Sequence, residues 1–255
     1  MRRFRFALLL LAALGAVRPA LANDVRLLTT GAYKGVALAL IPEYEAQSGN
    51  KVLVESDTAG GIIRRIEAGV PFDLVVLTSQ AVGDLATEGK LDAGSATDLA
   101  RVGVGVAVKT GTPHPAVDTR DAFRQMLTKA KSIAYIDPRA GGSSGIYIEG
   151  LIERMGLAKK LKHRTVLVNG GLVGDKVASG EAQIGLQQLS ELMAVPGIDV
   201  LGPLPKELQN YTVYGAGISL KATEPEAAKA LLATFTSPAA VPLLQARGME
   251  RPAGL

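Results

Sequence analysis

From residue 25 onward, short apolar runs rich in Val, Ile and Leu alternate with longer stretches in which apolar positions recur every three or four residues. Continuous or period-two runs mark strands and a period near 3.6 marks helices, so the pattern is that of an α/β protein with mainly parallel sheets flanked by helices. Val25 to Leu28 reads as a first strand. A helix from about Ala32 to Gln47 follows it, with Val36, Leu40 and Tyr44 on one face, a kink at Pro42 and a stop at Ser48-Gly49. Further strands are expected at 51–55, 74–77, 102–108, 132–136, 165–168, 182–186 and 212–220. Helices are expected at 61–68, 118–130, 143–155 and 225–235, with one more between the strands at 165–168 and 182–186 and a last one begun by Ser237-Pro238.

Punctuation by Pro and Gly divides this series. Gly111-Thr112-Pro113-His114-Pro115 is the best linker candidate, and Pro196, Pro203 and Pro205 interrupt regular structure near the point where the chain would cross back. The expected organisation is a first lobe made of 23–110 and 212–255 and a second made of 111–211. No repeat of fixed period is found.

Charge changes the picture only at the start. The chain has 28 basic and 24 acidic residues, and the whole excess lies in Arg2, Arg3, Arg5 and Arg18, in a segment without acids. MRRFR, the apolar run from Phe6 to Val17 and Ala20-Leu21-Ala22 form the three parts of a secretory signal, with cleavage expected after Ala22. The remainder is formally neutral, which removes the electrostatic footprint of a nucleic-acid binder. The apolar run, about twelve residues, is well short of the roughly 20 needed to span a bilayer. Cysteine is absent, which in an oxidising compartment excludes disulfides, thiolate metal sites and a lipid-anchored Cys. A soluble periplasmic monomer, without cofactor or metal, is the expectation.

Three stretches share one design, in which a strand ends, hydroxyl and glycine residues follow, and a helix begins. They are Thr29-Thr30-Gly31, Thr58-Ala59-Gly60-Gly61, and Asp137 to Gly145, which contains Arg139, Ser143 and Ser144. Ligands of open α/β sheets bind beyond the carboxyl ends of strands, where helix N-termini offer unpaired N–H groups and glycines admit an anion closely. The same residues also serve as ordinary helix caps. Arg64 could add a forked donor for a carboxylate or, with Arg65, lie on a solvated face. Gln187-Gln188, just after a strand, could place amides in a cleft or simply fill a loop. His114 and His163 lack metal-ligand spacing, and no nucleophile elbow, phosphate-loop lysine or dinucleotide fingerprint occurs.

Four stretches in order, Leu27 to Gly31, Ala68-Gly69-Val70-Pro71-Phe72-Asp73-Leu74-Val75-Val76, Ala178-Ser179-Gly180-Glu181-Ala182 and Thr223-Glu224-Pro225-Glu226-Ala227-Ala228, resemble the molybdate-binding-like branch of periplasmic solute-binding proteins. The resemblance spans nearly all of 24–252 and implies a two-lobed type 2 periplasmic binding fold that clamps a small anionic ligand between its lobes, often for an ABC transporter permease. It implies ligand hydroxyls at Thr30 and Thr58. That branch usually carries Ser at both places and Tyr where this chain has Gln187 or Gln188. These departures, with Arg139, favour a di- or tricarboxylate over molybdate. Gly31-Ala32-Tyr33-Lys34 also resembles a related periplasmic group that includes aconitate isomerase. That likeness implies allylic proton transfer, with Tyr33 or Lys34 as the base.

Overall fold

The structure, a computed structural model, describes residues 24–252. The expected signal segment and its cleavage site lie outside the described residues. The first lobe opens with β1 (Asp24–Thr30), α1 (Gly31–Ser48), β2 (Lys51–Asp57), α2 (Ala59–Glu67), β3 (Leu74–Thr78) and α3 (Ser79–Thr87), and the chain then enters β4 (Thr97–Lys109). The second lobe follows with α4 (Arg120–Lys129), β5 (Ile133–Ile136), α5 (Ser143–Arg154), α6 (Ala158–Leu161), β6 (Thr165–Val168), α7 (Val173–Ala178), β7 (Ile184–Gln188), α8 (Leu189–Leu192) and β8 (Ile198–Pro203). β9 (Tyr211–Ile218), α9 (Pro225–Thr236), α10 (Ala240–Gln245) and β10 (Met249–Glu250) complete the first lobe.

Period-two alternation builds both lobes as sheets covered on two faces, since successive strand side chains point to opposite sides. In the first lobe Leu27, Leu74 and Val76 pack with α1, α9 and α10, whereas Leu28, Val75 and Leu77 pack with α2 and α3. In the second, Ile133 and Tyr135 face α4 and α5, and Ala134 and Ile136 face α7. β2, β1 and β3 pair in parallel, as do β6, β5 and β7. The crossing strands β4 and β9 pair antiparallel with their neighbours.

The change of lobe falls inside β4 rather than at the Gly111–Pro115 cluster. Residues 97–103 pair with β9, and residues 104–109 pair with β7 and β8. At the junction the Gln209 amide stands in for a neighbouring strand. It accepts from Val104 N at 2.9 Å and donates to Val104 O at 2.9 Å. A Cβ at Gly103 would lie 2.8 Å from Gln209 Nε2, so that glycine makes the exchange possible. The Gly111–Pro115 cluster instead belongs to a surface loop of the second lobe, where His114 Nε2 lies 3.0 Å from Asp199. β8 was not expected among the prolines. It lies beside β4 with Pro203 as its last residue, a position where the missing N–H is tolerated.

Two of the four ordered stretches meet physically. Asp73, 1% exposed, accepts from Arg26 N at 2.8 Å and from Thr223 N and Glu224 N at 2.7 and 3.1 Å. One buried carboxylate therefore fixes β1, β3 and the entry to α9 together.

Candidate functional site

The carboxyl ends of β1, β2, β5, β6 and β7 point at one cleft between the lobes, which encloses a cavity of about 370 Å³. The cleft is closed by contacts between lobes. Thr58 Oγ1 donates to Ala140 O, Gly60 N donates to Gly141 O at 3.1 Å, and Arg64 Nη2 reaches Ala140 O at 3.5 Å. Gly60 and Gly141 touch through their backbones, because a Cβ at Gly141, where φ is +78°, would lie 2.6 Å from Gly60 Cα. Deeper in, Gln188 Nε2 donates to Thr212 Oγ1 at 2.9 Å and to Ser143 Oγ at 3.2 Å, and Ser143 Oγ lies 3.1 Å from Tyr214 OH.

Two helices present open N-termini to this cavity. Thr30 at the start of α1 and Gly142 at the start of α5 make no side-chain cap bond, and neither first turn carries an acid. Their N–H groups and the positive end of the helix dipole are available to an anion. Thr30 Oγ1 is buried without a partner, and Thr30, Gly31, Lys34, Ser143 and Ser144 line the space. α2 differs, because Thr58 Oγ1 accepts from Gly61 N at 3.0 Å and caps its own helix. Asp57 lines the cavity near that end, with Oδ1 accepting from Thr58 N at 2.7 Å.

The remaining residues expected at the site fall elsewhere. Thr29 is buried one residue back and its hydroxyl donates to Thr30 O. Gly60 and Gly61 serve closure and the α2 cap. Arg139 does not reach the cavity. Its guanidinium is drawn to Asp137, with Nη2 2.6 Å from Oδ2, and this pairing holds the Asp137 carboxyl below its ordinary range. Gln187 is wholly buried as a structural clasp, accepting from Val173 N at 2.7 Å and donating to Gly171 O at 3.0 Å. Tyr33 is not at the site either. It lies in the core, 0% exposed, edge-on to Phe235 with ring centroids 5.5 Å apart. Burial pushes its phenol well above the ordinary range, opposed only slightly by the charge of Arg251, which is the reverse of what a base requires. Lys34, one step round the helix, does face the cavity.

Sequence reasoning missed three contributors. Gly170-Gly171, after β6, and Tyr214, on the crossing strand β9, both line the cavity. Burial, with the nearby Glu191 carboxyl, pushes the Tyr214 phenol up, so it stays a donor. The third is Glu191, three residues past Gln188, in the short helix α8 that follows β7 directly. It is mostly buried, and a Cβ at Gly31 would lie 2.5 Å from its Oε1. Desolvation pushes its carboxyl up to about 8, with Gln187 pulling the other way. The signal that could have found it is the shared strand-then-helix design. Among the described residues no group of three or more His, Cys, Asp or Glu could hold a metal ion, and no helix is long and apolar enough to cross a membrane.

Two α/β lobes joined at paired strands, with donor-rich helix ends facing a shared cleft, define the class of two-lobed solute-binding proteins. The chain belongs to the family of bacterial extracellular solute-binding proteins, whose model matches residues 25–250. An aconitate isomerase from a Pseudomonas species is 35% identical over 234 residues, covering 89% of this chain and 88% of that protein. A molybdate-binding protein from Azotobacter vinelandii is 26% identical, covering 94% and 96%. The solved periplasmic molybdate-binding protein of Azotobacter vinelandii superposes with a TM-score of 0.74 at 21% identity, covering 89% of this chain and 99% of that one.

Proposed function

We propose that this chain is a periplasmic isomerase that holds an unsaturated tricarboxylate of the aconitate type between its lobes and interconverts its cis and trans forms. The observation that carries the reading is the placement of two open helix N-termini, on α1 and α5, in a cavity of about 370 Å³. Such a volume lies in the range of about 300–1,000 Å³ typical of organic-ligand pockets. Donors belonging to different lobes suit an extended anion with a carboxylate at each end. The 35% identity to an aconitate isomerase agrees with that chemistry, and the basic and apolar start of the chain agrees with export. Lys34, at the mouth of α1, supplies the positive charge for one carboxylate.

A receptor reading has one observation in its favour. The paired crossing strands and the direct bonds that close the lobes are what a binding protein needs to shift between open and closed populations. Such a receptor would deliver a di- or tricarboxylate, in the usual arrangement to an ABC transporter permease.

The deciding experiment treats the chain lacking residues 1–22 with cis-aconitate in deuterated water and follows trans-aconitate and carbon-bound deuterium by NMR, beside a thermal-shift titration. Conversion with label incorporation supports the isomerase. Stabilisation without conversion leaves the receptor, and neither effect rejects both.

A further inference from the structure

We propose that Glu191 is the single group that removes the allylic proton of the bound tricarboxylate and returns it to the other end of the allyl unit. This assignment rests on the isomerase reading.

Glu191 stands in the first turn of α8, directly after β7, lines the cavity, and puts Oε1 against the backbone of Gly31 at the open end of α1. A carboxyl in an anion cavity opposes a receptor's purpose when ionised, so its presence calls for a chemical use. The alternatives within the cavity are fewer than the sequence suggests. Asp57, from β2, is exposed to solvent and bonded to the backbone of Thr58 at the end of α2. Tyr214, from β9, is a buried phenol held protonated. Lys34, from α1, is the cation that faces the ligand's own charge.

Proton transfer balances with no further reagent. Glu191 takes a proton from the methylene carbon, so a C–H bond breaks and an O–H bond forms. The electron pair spreads over the adjacent double bond and carboxylate as a dienolate. The same carboxyl then protonates the former vinylic carbon, the double bond shifts by one position, and Glu191 is again ionised. Charge that accumulates on the ligand carboxylate meets the N–H groups of α1 and α5, Lys34 and the unpartnered hydroxyl of Thr30. Tyr214 from β9 and the neutral Gln187 from β7 lie next to Glu191, and Lys34 from α1 and Asp57 from β2 line the same cavity. The desolvated carboxyl, near 8 in the unliganded cleft, is matched to carbon acids better than an ordinary Glu.

The test compares the parent with Glu191→Gln and Glu191→Asp in the deuterated-water assay, with aconitate affinity measured by calorimetry. Glu191→Gln is expected to bind aconitate within about threefold of the parent, while its conversion and label exchange fall by about 10²–10⁴-fold, the range for loss of a positioned acid–base group. Glu191→Asp, with its carboxyl set back by one methylene, recovers part of the rate. In the parent, kcat/KM rises with pH and levels off near 8. Unimpaired conversion by Glu191→Gln overturns this assignment and leaves the isomerase reading standing. Absence of conversion by the parent, with aconitate bound, overturns the isomerase reading and this assignment with it.

Discussion

Thr30 and Thr58 stand at equivalent stations, each between a parallel strand and the helix that follows. Their backbones are nearly superposable, with φ −64° and ψ 152° at Thr30 and φ −63° and ψ 158° at Thr58. The side chains behave differently. Thr58 uses its hydroxyl twice, accepting from Gly61 N and donating across the cleft to Ala140 O. Thr30 leaves its hydroxyl buried and unpartnered beside the cavity. Cap geometry alone therefore does not identify a ligand contact. What distinguishes the two is whether the hydrogen-bonding capacity is already used within the fold, since a buried unpartnered group is costly unless something else satisfies it.

The largest expected effect probes the acid that overlooks the open end of α1. Between 4.5 and about 8 an unfolded chain has lost the proton that folded Glu191 keeps, so raising the pH favours unfolding. Stability of the unliganded protein should fall across that window by up to about 1.4 kcal/mol per pH unit. Urea denaturation at several pH values measures the slope, and Glu191→Gln should flatten it. An unchanged slope in that variant would place the titration elsewhere.

The closed end is broken next by Gly141→Ala. The added methyl meets Gly60 Cα and also strains a positive φ, so the lobes cannot reach their closed contact. Ligand affinity should fall by about 100-fold, or about 2.7 kcal/mol, whereas the unliganded protein loses only about 1–2 kcal/mol. Calorimetry and thermal melting separate the two losses.

Thr30→Val and Thr58→Ala sharpen the comparison at single hydroxyls. Thr30→Val should leave the melting temperature unchanged or raised and weaken ligand binding by about tenfold, the result of losing one hydrogen bond to an anion. Thr58→Ala should cost about 1 kcal/mol of stability through the lost cap. Equal losses of stability in both variants would erase the distinction. The smallest effect belongs to Arg139→Ala. With its side chain 85% exposed and paired to Asp137, affinity should change by less than about twofold.

Much of this was legible in the chain because the relevant physics is local. The alternation of Leu27 with Leu28 and of Leu74 with Val75 already encodes a sheet covered on both faces. The stop at Gly49, where φ is +75°, is the left-handed cap that glycine permits at a helix end. Helical spacing also contains information that a motif-based reading passes over. Tyr33 shares its face with Val36, Ala37 and Leu40, all buried, so the 3.6 period assigns it to the core and leaves Lys34 for the cleft. Arg139 pointed to a carboxylate ligand, yet its partner Asp137 lies two residues earlier. Glu191 and Tyr214 were harder to read. The strand-then-helix design marks the stretch that holds Glu191 but not which of its residues turns to the cleft, because that follows from α8 packing beside α1. Tyr214, within the crossing strand β9, carries no local mark of the cavity it lines.

The continuous course of β4 bears on how the molecule assembles. Its first half lies between β9 and β10, and its second half lies between β7 and β8. Neither sheet can complete its ladder until distant parts of the chain have returned to opposite halves of the same strand, so contact order is high in both lobes and the two acquire their order together. The protein is in this sense one cooperative unit with two cores. Cutting the chain within β4 would yield two fragments with raw, aggregation-prone edges rather than two independent half-receptors.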